Sequence, residues 1–168
     1  GTLAAALGSF TLAVAFSGGM DSSVLLHALA HLPAARTRGL RAMHVDHGLH
    51  ADSANWARHC QDFAAALDVP LQVARVFVER NAGTGPEDAA RRERLATFAR
   101  ELRPGEILAL AQHRGDQAET VLLKLLRGAG PEGLGAMREL RKHGNGLLWR
   151  PLLDLPRAAL ADYANGHA

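Results

Sequence analysis

A chain of 168 residues with 48% hydrophobic and 21% charged side chains is long enough to bury a substantial core and too apolar to remain disordered. Its formal charge of +2 says little about partners, because Lys and Arg are spread along the chain. The single cysteine, Cys60, excludes an intrachain disulfide and a cysteine-based metal cage.

The first apolar stretch, Leu3–Phe16, is too short to span a bilayer, is broken by Gly8 and Ser9, and lacks a basic leader. A cytoplasmic protein with no membrane partner is the simplest expectation. Within that stretch Thr11–Phe16 reads as a central parallel strand that ends abruptly in Ser17-Gly18-Gly19. Helical spacing of Val24, Leu25, Ala28 and Leu29 predicts a helix over Asp21–Ala30. Leu40–Val45 is a second strand, and a His-rich loop follows it. Asp52 or Ser53 is placed to cap a helix running to about Leu67, which carries Cys60 as a packing residue.

Pro70–Val78 is a third, β-rich run, and Asn81–Gly85 a loop before Pro86, placed as a first-turn proline. That helix carries Ala90, Leu95, Phe98 and Leu102 until Pro104-Gly105 stops it. Ile107–Ala111 is a fourth strand, Asp116–Leu126 a patterned helix ending at Gly128, Leu147–Leu152 a fifth strand, and Pro156–Ala164 a last helix. Strand and helix in alternation predict an α/β fold: one domain with an open parallel five-stranded sheet and helices on both faces. The denser basic groups, such as Arg36, Arg38 and Arg41, read as solvated faces.

Ligands of an open α/β sheet bind beyond the carboxyl ends of its strands. Ser17, Gly18, Gly19, Met20, Asp21, Ser22 and Ser23 sit at that edge, directly after the first strand. The two glycines allow a tight turn that brings backbone N–H groups to an anion, and the next helix aims its N-terminus at the same place. Ser17, Ser22 and Ser23 add hydroxyls, and Asp21 suits a Mg²⁺ bridging phosphates. The plainer alternative is a Gly-Gly turn with Asp21 or a serine capping the helix. The pattern is neither a Walker loop nor a dinucleotide fingerprint.

Ser17–Ser23 resembles the PP-loop of the N-type ATP pyrophosphatases, which cleave ATP to AMP and pyrophosphate. Three later stretches resemble the lysidine synthetase branch of that family. His44-Val45-Asp46-His47-Gly48-Leu49 is similar to its "H-V-(D/H)-H-G-L" run, and lies where backbone groups and His44 and His47 could hold adenine. The helix after Pro86 is similar to "E-x-x-A-R-x-x-R-Y", which puts Arg91 near the phosphates in a catalytic role and Arg94 on a phosphate or tRNA, with Leu95 in place of the tyrosine. An exposed helix face with Glu87 and Arg91 paired remains open for that segment. Ala111-Gln112-His113-Arg114-Gly115-Asp116-Gln117-Ala118-Glu119-Thr120 is similar to "A-x-H-x-x-D-Q-x-E-T", and Leu125-Leu126-Arg127-Gly128 to "L-L-R-G". Gly115 replaces the first of two aspartates found in many members. Leu148–Leu153 resembles a following "R-P-L-L" run.

The resemblance implies ATP and Mg²⁺ as cofactors, with Asp21 on the metal and Asp21, Arg91 and His113 catalytic. It implies that Asp116 and Glu119 hold free L-lysine and that Arg127 meets phosphate or tRNA. For the carboxylate pair, favourable placement at a helix N-terminus is the alternative. The implied reaction joins lysine to C2 of the wobble cytidine of a CAU-anticodon tRNA(Ile). Family members are often homodimers, though no patch in this sequence establishes a dimer. The chain has no initiating Met and stops soon after a helix, so a fragment is expected, without the family's C-terminal tRNA-holding region. Thiolating relatives generally need catalytic or cluster-binding cysteines, for which Cys60 alone is a poor provision. GMP and NAD synthetases share the first loop but not the later series, and a non-catalytic ATP-binding module would need neither Arg91 nor the carboxylates.

Overall fold

A computed structural model describes residues 10–48, 51–76, 85–118, 120 and 138–167. In chain order its elements are β1 (Thr11–Ala15), α1 (Met20–Ala30), α2 (Pro33–Arg38), β2 (Leu40–Asp46), α3 (Ser53–Ala66), β3 (Leu71–Arg75), α4 (Pro86–Glu101), β4 (Glu106–Ala109), β5 (Leu140–His143), β6 (Gly146–Trp149) and α5 (Arg157–Gly166). Residues 114–118 are also helical, so the helix expected from Asp116 begins two residues earlier. Its continuation beyond residue 120, like the loop 81–84 and Leu49-His50, lies outside the described residues.

The sheet has six strands in the order β3-β2-β1-β4-β6-β5. All neighbours are parallel except β5 and β6, which pair antiparallel from Leu140↔Trp149 to His143↔Gly146. The five expected strands are all present, and β5 is a sixth. Its sequence, Leu-Arg-Lys-His, carries no apolar run because it is an edge strand: Arg141 and Lys142 are exposed, as charges on sheet edges commonly are.

Pleating divides the core. Leu12 and Val14 of β1 and Ile107 and Ala109 of β4 face Leu25, Leu26 and Leu29 of α1 and Cys60 of α3. Ala13, Met43, Val45 and Leu108 face Phe98 and Leu102 around α4 on the other side. Helices therefore cover both faces, and the central strands are apolar on both. Below the second layer Glu106, 1% exposed, takes Arg41 Nε at 2.7 Å and Nη2 at 2.8 Å, a bidentate pair joined by the Arg103 N–H at 3.0 Å. The helix α2 escaped the sequence reading because it is only six residues long and buries one side chain, Ala35. Asp52 does stand at the start of α3, but without a side-chain capping bond. Its φ of −91° and ψ of 9° are not the extended geometry from which such a side chain reaches back. Among the described residues no helix is long and apolar enough to cross a membrane.

Candidate functional site

The loop between β1 and α1 is held by its own serines. Ser17 N–H donates to Ser22 Oγ at 3.1 Å, the two hydroxyls lie 2.9 Å apart, and Gly19 N–H donates to Ser17 Oγ at 3.2 Å. Gly18 takes φ +86°, a region that favours glycine, and a Cβ there would lie 2.8 Å from Cys60 Sγ and 3.2 Å from the Trp56 ring. Trp56 Nε1 donates to the Ser17 carbonyl at 2.6 Å, so α3 clamps the loop from outside. Gly19 is the N-cap of α1 and no side chain caps that helix, with Asp21 and Ser22 in its first turn. The first-turn N–H groups thus face the strand-end cleft, the arrangement an anion requires. Ser23 follows in the same turn, its N–H bonded to the Gly19 carbonyl.

Asp21 Oδ1 is buried and has no hydrogen-bond partner among the described residues, while Oδ2 lies 3.4 Å from His113 Nε2. His113, 7% exposed, comes from the segment after β4. Its Nδ1 accepts the Gly115 N–H at 3.0 Å, so the ring hydrogen of the neutral imidazole sits on Nε2, which lies between Asp21 Oδ2 at 3.4 Å and Asp116 Oδ2 at 3.6 Å. Asp116 Oδ2 also accepts the His113 N–H at 2.7 Å. Residues from the ends of β1 and β4 thereby form one polar cluster, possible because these strands are neighbours.

On the other side of β1, His44 is 6% exposed and donates from Nδ1 to the Phe16 carbonyl at 2.9 Å, which leaves Nε2 as its acceptor. Both ring nitrogens of His47 are buried without a partner among the described residues. Burial first, and Arg94 second, lower the His47 pKa and favour its neutral form. Arg91 and Arg94 of α4 line the same space, as do Ser17, Asp21, Ser22, His44, His47 and Asp116. The cavity is about 1470 Å³ and runs along the carboxyl ends of the strands. A site of that size accommodates more than one small ligand.

The PP-loop domain family matches residues 2–168. The chain belongs to it. Curated relatives carry the name tRNA(Ile)-lysidine synthase. That of Xanthomonas campestris pv. campestris (strain 8004) is 61% identical over 155 residues, 92% of this chain and 36% of the relative. That of Alkalilimnicola ehrlichii is 54% identical over 155 residues, 92% and 35% respectively. The enzyme of Pseudomonas fluorescens is 49% identical over 162 residues, 96% and 36%. The chain thus spans about a third of the length of the curated relatives it matches. Among solved structures, a U34-tRNA thiolase from Methanococcus maripaludis, with its 4Fe–4S cluster, has a TM-score of 0.70 at 17% identity, over 94% of this chain and 57% of that one. At that identity the likeness concerns the fold.

Within this PP-loop cleft, sequence reading passed over Trp56, Gln112 and Arg150, all of which line it. Arg150 enters the sequence pattern only as part of an "R-P-L-L" run. Their signal was positional: Arg150 directly follows β6 and Gln112 comes three residues after β4, at the strand ends where α/β ligand sites are built. Glu119 and Arg127 lie outside the described residues.

Proposed function

We propose that this chain is the ATP-using part of an enzyme that ligates lysine to the wobble cytidine of a CAU-anticodon tRNA(Ile), working in the cytoplasm. The single observation that carries the reading is the convergence of the uncapped PP-loop helix, the orphaned Asp21 oxygen and the α4 arginines on one strand-end cleft. The names and identities of the relatives supply the acceptor. The triphosphate of ATP would lie on the N–H groups of the Ser17–Ser23 loop, with adenine on the β2 side near His44 and His47. A buried carboxylate oxygen without a partner suits a divalent cation, and Asp21 would hold Mg²⁺, which neutralises phosphate charge when bound.

In the first step the C2 oxygen of the cytidine attacks the α-phosphate, a new P–O bond forms, and pyrophosphate leaves. Arg91 stabilises the charge that gathers on the phosphate, and Arg94 takes a neighbouring phosphate. In the second step the lysine ε-amine attacks C2, the C2–O bond breaks, AMP departs, and the amine loses a proton. Asp116, with Glu119, orients the amine. His113 Nε2 stands between Asp21 and Asp116, at 3.4 and 3.6 Å, and offsets the repulsion of the two carboxylates. The work of the protein is positioning and charge neutralisation. The absence of cysteines other than the buried Cys60 disfavours a thiolation chemistry for the chain.

The reading is tested by following ATP consumption in the intact protein that carries this chain. AMP and pyrophosphate are expected in equal amounts, with AMP release requiring both lysine and CAU-anticodon tRNA. AMP formation that ignores lysine, or that proceeds equally with any tRNA, would contradict it.

A further inference from the structure

Along the cleft the strand ends follow the order β2, β1, β4, β6. His44 and His47 stand at the β2 end and the phosphate loop at the β1 end, which together take the nucleotide in the reading above. The remaining half carries Gln112 and Asp116 after β4 and Arg150 after β6.

Arg150 is an anomaly of charge. It lines the cleft and is only 5% exposed, yet among the described residues no carboxylate lies within 4.0 Å of it. Its side-chain partners are neutral: Nε donates to Gln112 Oε1, and Nη1 to the Arg138 carbonyl at 2.9 Å. Arg41, buried to a similar degree at 8%, has the bidentate Glu106 carboxylate instead. Burial, with Arg141 and Arg91 adding repulsion, holds the Arg150 pKa down to about 10, so the guanidinium remains charged at neutral pH. A buried cation without a counter-charge is costly unless an anion arrives with a ligand.

We propose that Arg150, oriented by Gln112, binds the α-carboxylate of the free amino acid acceptor. This deepens the ligation reading above and rests on it. A polyphosphate is a poor fit for this half of the cleft, because Asp116 on the same segment as Gln112 would repel it. A diamino acid suits both charges, offering a carboxylate to the arginine and an ammonium to Asp116. The planar guanidinium matches a carboxylate bidentately, and Gln112 fixes its plane.

The test compares L-lysine with 1,5-diaminopentane, which is lysine without its carboxylate, in the intact wild-type protein, reading tRNA adducts by mass. Diaminopentane is expected to be used with kcat/KM lower by about 10- to 100-fold, the range for one charge-assisted contact. Arg150→Gln should raise the KM for lysine by a similar factor and leave that for diaminopentane in place, which removes the discrimination. Arg150→Lys should restore part of it, and pyrophosphate release on adenylation should keep its KM for ATP. Equal use of the two amines by the wild type would overturn the inference without any variant. So would a raised KM for ATP in Arg150→Gln with the lysine preference intact, which would assign Arg150 to phosphate. Adducts with neither amine would instead overturn the ligation reading, and this inference with it.

Discussion

Replacing Gly18 by alanine concentrates two separable penalties at the phosphate loop. The first is conformational: a non-glycine residue at φ +86° costs about 1–2 kcal/mol. The second is steric, since the new methyl would lie 2.8 Å from Cys60 Sγ and 3.2 Å from the Trp56 ring. Cys60 is fully buried and cannot swing aside, so overpacking adds about 1–3 kcal/mol. The sum, ~2–5 kcal/mol, should appear as a lowered urea midpoint with an unchanged slope. A double-mutant cycle separates the parts. Cys60→Ala removes the atom at 2.8 Å, so Gly18→Ala should be less harmful in that background by about 1–3 kcal/mol. The φ penalty should persist in both, as should weakened ATP binding by calorimetry. Additivity to within about 0.5 kcal/mol would refute the steric argument, and a Gly18→Ala protein as stable as wild type would refute both.

Glu106→Gln leaves Arg41 buried against a neutral partner and should destabilise by about 3–5 kcal/mol in thermal or urea unfolding. Burial alone would raise the Glu106 pKa, but the hydrogen bond from Arg41, then the Arg103 N–H, outweigh it and hold the pKa below 4.5. The stabilisation from this group is therefore present above the unfolded pKa and lost as pH falls below about 4.5 through the folded value, and the variant should lose that part of the acid dependence. Burial pushes the Cys60 thiol up to about 11, so native protein at pH 8 should hold roughly one thiolate in a thousand and label slowly with a thiol reagent, quickly once unfolded. Trp56→Phe removes both the second indole ring beside Gly18 and the 2.6 Å bond to the Ser17 carbonyl; ATP affinity should fall by about three- to tenfold in calorimetry. Gly115→Asp would bring a Cβ 2.8 Å from the His113 ring and should shift that ring off Asp21, seen as a moved imidazole resonance by NMR.

The legible parts of the fold were those whose signal is local. β1, β2 and β4 announce themselves as apolar runs, and the contiguous Ser17–Ser23 loop carries its chemistry in sequence. β5 was hidden because an edge strand needs no apolar run; its trace is the Gly144-Asn145 turn that leads into β6. The clustering of His113 with Asp21 was less legible, because it depends on β1 and β4 being neighbours, 95 residues apart at Thr11↔Glu106. Arg150 and Gln112 depended likewise on β6 lying beside β4. The Gly115 departure also gains a cause: its N–H supports His113 Nδ1 at 3.0 Å, and a side chain there would crowd the ring.

The central claim, lysine ligation to a tRNA cytidine, is tested most directly by nucleoside mass spectrometry. The intact protein is incubated with ATP, Mg²⁺, lysine and CAU-anticodon tRNA(Ile), and the tRNA is digested. One cytidine converted to lysidine, only when ATP and lysine are both present, is the result expected. Unmodified cytidine despite bound ATP and intact tRNA, or a thiolated nucleoside in its place, would contradict the account.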